Sequence, residues 1–312
     1  MIMHRSMKGG QEKEVETPPG DEEENTPNVE IQERGDIYFF YRPKVGEEDP
    51  HTSDDVQRLY IVLRPHTSSQ DKQQQEKKKK KKKEPPQEEK SMLLRLIVMG
   101  KKSLPDPSKR GRPYWGFVEL VTTKIQDIKD ALKGGLDHSN GSYLWFEEYD
   151  TKTRGHRHKP AARALGEGVY RILKHHSGKK MHTHLIYKLE FPSEGAENQP
   201  QEELNVEREA SFLIQIKNPI QGQFKTKTTK KKKKKSIFPA HLQGQFGKLR
   251  YHGADPPDFL NYEGCEFLLI SASDEIHEEL GLEIEVDRSC SDLVNTFGET
   301  VSADALLRGI WV

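Results

Sequence analysis

Apolar residues in this chain fall in short blocks separated by long polar stretches. Most blocks have the length and make-up of β-strands. Ile37–Arg42 reads IYFFYR and stops at Pro43, and Leu59–Leu63 reads LYIVL and stops at Pro65. Leu93–Met99 reads LLRLIVM and stops at Gly100, and Tyr114–Val121 reads YWGFVELV. Runs of β-branched and aromatic residues bounded by breakers predict strands. Ile125–Leu132 instead places apolar side chains at 125, 128 and 132. That is helical spacing, and Gly134-Gly135 predicts its end.

The second half repeats the theme. Tyr143–Phe146, Ser211–Ile216 and Cys265–Ile270 read as strands, and Val169–Leu173 with Thr183–Phe191 reads as a hairpin. Ser273–Leu280 reads as a short helix closed by Gly281. Laid over each other, the halves match in order. Ile37–Arg42 falls on Tyr143–Glu148, and Leu59–Pro65 on Ile186–Pro192. Leu94–Lys101 falls on Ser211–Asn218, and Phe117–Leu132 on Glu266–Leu280. The expected fold is therefore α+β, with two similar β-rich units over residues 35–135 and 141–282, a degenerate internal duplication. Chance similarity of generic strands is the alternative.

Charge sharpens the domain map. Residues 1–34 carry Glu, Pro, Gly and Asn without periodicity and predict a disordered acidic arm. Residues 67–91 contain Lys77–Lys83, and residues 221–236 contain Lys230–Lys235. Like charges at that density repel, so both tracts predict extruded loops. Residues 283–312 form a polar tail that ends Leu306-Leu307-Arg308-Gly309-Ile310-Trp311-Val312, an apolar finish that predicts docking with Trp311 as anchor.

The 50 basic and 50 acidic residues cancel, which argues against wholesale nucleic-acid or membrane binding but leaves local patches open. No membrane partner is expected, because no stretch approaches the roughly 20 apolar residues of a spanning helix. Met1–Gly20 holds no apolar run, so no signal peptide is expected. Cys265 and Cys290 form no CxxC pair and fit a reducing compartment, nucleus or cytoplasm. The lysine runs also read as candidate nuclear signals.

The stretches RLYIVLRP, LLRLIVMGKKSLPDPSKR, PYWGFVELVTT, GEGVYRILKH, HTHLIYKLEFP, FLIQIKNP and ADPPDFLNYEG resemble an uncharacterised plant family with shorter bacterial relatives. The likeness covers most of Gly35–Gly281. Plant members are often catalogued as BTB/POZ domain-containing proteins, and the resemblance so implies an adaptor for a ubiquitin ligase. Asp55-Val56 before a strand matches the opening of a BTB domain, whereas its Ala-His-Lys segment is absent.

Histidine is the sharpest chemical feature. If His176–Met181 is the loop of the predicted hairpin, His175 stands opposite His182, and His184 shares their face. Thr183, Leu185, Tyr187 and Leu189 then face inward. Three imidazoles on one face are a candidate Zn²⁺ set with an open fourth position, and so a candidate metal-dependent hydrolase. Arg154, His158, Arg163, Lys174 and Lys188 form a candidate site for an anionic ligand, either a phosphate compound or a nucleic-acid backbone. Ser108–Pro113 (SKRGRP) resembles the core of an AT-hook, in which Lys109, Arg110 and Arg112 would enter an A·T minor groove. The glycines of Gly166-Glu167-Gly168 read as a turn before a strand rather than a phosphate cradle. No GxSxG, P-loop, HExxH or dinucleotide fingerprint is present. The reading that follows is a non-enzymatic binding or interaction protein with an unknown protein or an anionic molecule as partner.

Overall fold

The computed structural model describes residues 28–47, 49–66, 93–134, 136–137, 144–145, 148–151, 155–158, 160–177, 180–193, 198–221, 235–284 and 292–311. Strands are β1 (Asn28–Pro43), β2 (Val56–Pro65), β3 (Leu94–Met99), β4 (Tyr114–Thr122), β5 (Leu136–Asp137), β6 (Leu144–Trp145), β7 (Glu148–Thr151), β8 (Gly155–His158), β9 (Arg163–Ser177), β10 (Lys180–Phe191), β11 (Glu209–Lys217), β12 (Tyr251–Gly253) and β13 (Glu266–Ser273). β5 pairs with β6 and β7 with β8 as small ribbons.

The large sheet runs β10-β9-β1-β2-β3-β4-β13-β11-β12, and β10 also pairs with β11. That last pairing closes eight antiparallel strands into a barrel. The two-unit α+β expectation is thereby corrected. Each half supplies four strands, but its edge strands pair with the other half: β1 with β9, and β4 with β13. Neither half keeps a core of its own, because closure removes the free edges two separate sheets would expose. Within Tyr143–Glu148, expected to match β1, the described residues belong to short ribbon strands, and β1 lies beside β9 instead.

Alternation places the core. Ile37, Phe39 and Tyr41 of β1, Ile61 and Leu63 of β2, Tyr187 of β10, Phe212 of β11 and Phe267 of β13 converge inside the barrel. Their neighbours Tyr38, Phe40, Tyr60, Val62, Leu96 and Val98 point outward and are buried again under a second layer. This double burial explains why IYFFY and LYIVL read as unbroken apolar runs. The covering layer is the helix Ile125–Gly134 and the chain's last 20 described residues. Arg42, buried on the outer face, clamps that helix by donating to the carbonyls of Ala131 (2.9 Å) and Leu132 (3.0 Å), which satisfies otherwise orphaned C-terminal acceptors.

Both barrel ends are stoppered. At one end Leu104, Leu204, Val206 and Trp311 join the interior cluster, and Trp311 stacks edge-on to Tyr41 at 5.4 Å. At the other, Phe238, Leu242, Phe246, Phe259 and Leu260 close the mouth, with Phe238 and Phe246 stacked at 5.9 Å. Over this second end a buried guanidinium is locked. Arg95 donates twice to Glu33 (2.6 and 2.8 Å) and once to Asn261 (2.8 Å), while the Tyr170 hydroxyl also donates to Glu33 at 2.8 Å.

Several expected boundaries move. β1 begins at Asn28, so the last seven residues of the expected acidic arm 1–34 belong to the barrel. Val29 and Ile31 alternate with polar neighbours there, and a bulge between Ile31 and Glu33 turns the Glu33 carboxylate to the face of Tyr170 and Arg95. Gly166 and Gly168 lie within β9 rather than in a turn. A Cβ on Gly168 would stand 2.1 Å from the Lys188 carbonyl oxygen, so glycine there permits the close approach of β10. The expected disorder of 67–91 lies outside the described residues, as does that of 221–236 apart from Gln221, Lys235 and Ser236. Among the described residues the longest helix has 10 residues, and the helical shell implied by a BTB domain is not seen among them.

Candidate functional site

The barrel's two ends differ chemically. β2 ends at Pro65 and β3 begins at Leu94, so the sequence carrying Lys77–Lys83 is anchored at the end stoppered by Phe238 and Phe246. β11 ends there at Lys217, and the chain is next described at Lys235, so Lys230–Lys235 is anchored at the same end. The β9–β10 hairpin also turns there, between Ser177 and Lys180.

Several cations at this end are held by carboxylates. Lys174 meets Asp255 at 2.9 Å, and Lys217 meets Glu266 while lying 5.1 Å from the Trp115 ring centre. Asp36 accepts from Arg64 (2.7 Å) and His66 (2.9 Å). Burial opposes the charge on Asp36, yet the His66 hydrogen bond and the Arg64 guanidinium hold its carboxyl below the usual range. Lys180, Lys235, Lys248 and Arg250 are different: all four are exposed, with no carboxylate partner among the described residues. The opposite end is mixed: Lys101, Arg110 and Arg112 are exposed there, also without a carboxylate partner among the described residues, beside paired charges. There Lys109 is tied to Asp106 at 2.7 Å and Lys102 lies 3.8 Å from Asp54. Burial first, and then the charges of Glu202, Asp106 and Asp274, push the Glu207 carboxyl upward.

The residues singled out in the sequence are scattered by this geometry. Arg163 opens β9 and Lys174 lies near its far end, about 35 Å away at the rise of an extended strand. Lys188 pairs with Val169 and Glu209 at the mixed end. Arg154 and the side chain of His158 lie outside the described residues. The described members Arg163, Lys174 and Lys188 are therefore not assembled as a cluster. Lys109, Arg110 and Arg112 sit on the exposed β3–β4 connection, also at the mixed end, with the Asp106 carbonyl pinned by the Ser271 hydroxyl at 2.7 Å.

The hairpin has the expected register: His182 stands opposite His175, and Leu185, Tyr187 and Leu189 face the interior. The His175 and His184 rings are 5.6 Å apart. His184, however, is buried beneath the helix Ile276–Leu280, where its Nδ1 lies 3.0 Å from the Ser211 hydroxyl and 3.7 Å from Glu279 Oε1. Its Nε2 has no hydrogen-bond partner among the described residues. Among the described residues no three His, Cys, Asp or Glu side chains are placed to hold a metal ion, so the zinc set is not formed in this geometry. Cys265 is buried, and burial pushes its thiol up, away from nucleophilic use.

Burial, and then the charges of His175 and His182, push His184 down to about 3. At neutral pH the ring is therefore neutral, and its contact with Glu279 is not an ion pair. An unfolded histidine titrates near 6.5. Between these values the unfolded chain holds a proton that the native state lacks, so stability falls as pH drops, by about 1.4 kcal/mol per pH unit. Glu279, raised by burial, opposes this only where it begins to take up its own proton. His184→Leu is expected to flatten the decline below pH 6.5, read as urea midpoints against pH. An unchanged slope would contradict the assignment.

Sequence reasoning missed the residues that stopper the lysine-bearing end. Phe238, Phe246 and Phe259 were legible as isolated aromatics, without a period to place them. No protein-family model, no curated protein and no solved structure matches the chain. Among the described residues no helix is long and apolar enough to cross a membrane.

Proposed function

We propose that this protein is a non-enzymatic binding protein that takes a polyanionic partner at the lysine-bearing end of its barrel. The observation that carries this reading is the common anchorage of both lysine runs at the end where Lys180, Lys235, Lys248 and Arg250 stand exposed and unneutralised. The barrel supplies rigidity: aromatic side chains fill its interior, so an extended acidic molecule meets a fixed rim rather than a cleft. Clustered cations release counterions from a polyanion, and the resulting attraction weakens steeply with salt. Catalysis gains no support from this geometry, since the buried Cys265 and His184 are sheltered from any substrate.

Heparin–agarose chromatography of the full chain tests the reading. Wild-type protein should be retained and should elute with added salt. The triple variant Lys180→Glu, Lys248→Glu, Arg250→Glu should elute at clearly lower salt. Lys101→Glu with Arg110→Glu, at the mixed end, should change elution far less. Equal losses from the two ends, or no retention of the wild type, would overturn the proposal.

A further inference from the structure

The stopper of the lysine-bearing end also exposes apolar side chains. Ile237 is 88% exposed, Ile220 66% and Leu249 59%. Hydrogen bonds gather the backbones of Ile220 and Leu249. Asn218 donates from Nδ2 to the Leu249 carbonyl (3.1 Å) and accepts at Oδ1 from the Ile220 N–H (3.1 Å). The Gln221 side chain donates to the Lys248 carbonyl at 3.1 Å. Ile237 adjoins Phe238, which stacks on Phe246, and Phe246 accepts from the Leu249 N–H at 2.7 Å. Lys235, Lys248 and Arg250 border these three aliphatic tips. Large exposed apolar residues are otherwise sparse among the described residues: Met181 lies on the hairpin at this same end, and Leu307 lies at the other.

We infer that this face docks on a bilayer surface rich in anionic lipid. The inference rests on the polyanion reading and names the source of the negative charge. Three aliphatic side chains on separate turns are unlike the aromatic anchors set in pockets that protein hot spots favour. They also offer no exposed ring for a base to stack on. A headgroup layer accepts separate aliphatic tips and rewards lysines at their rim. Such contact requires no spanning helix.

Full-length protein sedimented with phosphatidylcholine vesicles, with and without phosphatidylserine, provides the test. Binding is expected only with phosphatidylserine. Ile237→Ser with Leu249→Ser should weaken it by about tenfold or more while leaving heparin elution unchanged. Leu307→Ser is the matched control and should bind as wild type. Heparin retention without vesicle binding would overturn the inference and leave the polyanion reading standing. Vesicle binding indifferent to Ile237→Ser and Leu249→Ser would also overturn it. So would a wild-type dimer that ignores vesicles and dissociates in the double variant, since the face would then join two copies of the chain. Binding to neither heparin nor vesicles would remove both readings.

Discussion

Arg95→Met is expected to destabilise the fold by about 3–5 kcal/mol. Arg95 is 1% exposed and its guanidinium is chelated by Glu33. The Glu33 carboxylate would remain near the barrel mouth with the Tyr170 hydroxyl as its neutral donor, an arrangement far weaker than a bidentate pair. The double variant Arg95→Met, Glu33→Met should regain much of the loss, because an apolar pair of similar volume leaves no unmatched charge. Urea unfolding of the two single variants and the double closes the cycle. Additive losses would show that the pair is not coupled.

The second large effect lies on the outside of the barrel. Phe297→Ala is expected to cost about 3–5 kcal/mol. Phe297 is fully buried and meets Tyr38 at 5.7 Å and Phe40 at 5.3 Å, both edge-on. Leu293, Val301 and Leu306 extend the same layer, and the Leu293 N–H donates to the buried Glu167 carboxylate at 3.0 Å. The C-terminal segment thus forms part of the core rather than an ornament on it. A melting temperature shifted by only a degree or two would show that β1 and β2 do not need this cover.

These two sites also show what the sequence disclosed. Strand positions were legible because alternation and breakers are local properties: β2, β3, β11 and β13 lie close to where LYIVL, LLRLIVM, SFLIQI and CEFLLI put them. The His175–His182 register was legible because the expected loop His176–Met181 is centred on the true turn, although His176 and Met181 pair within the strands. Closure was not. The pairings of β4 with β13 and of β1 with β9 join residues more than 120 positions apart, and nothing in a strand's own pattern names so distant a partner. β9 looked short because Gly166 and Gly168 imitate a turn, although both lie within the strand and Gly168 serves a close strand approach. In the tail, Leu293, Phe297 and Val301 recur at four-residue intervals, a helical signal cut short by Gly298 and diluted by the polar residues around it.

The candidate surface was legible only in part. The lysine runs were plain in the sequence, but their common anchorage depends on which strand ends share a mouth, and that follows from closure. Arg163, Lys174 and Lys188 looked adjacent along the chain, yet a 15-residue strand carries its two ends far apart.

Lysine acetylation footprinting of the full chain, with and without saturating heparin, tests the polarity of the barrel most directly. Lys180, Lys235 and Lys248 should be protected, with Lys101, Lys102 and Lys109 reacting as in the free protein. Protection of the latter three, or equal protection at both ends, would contradict that polarity.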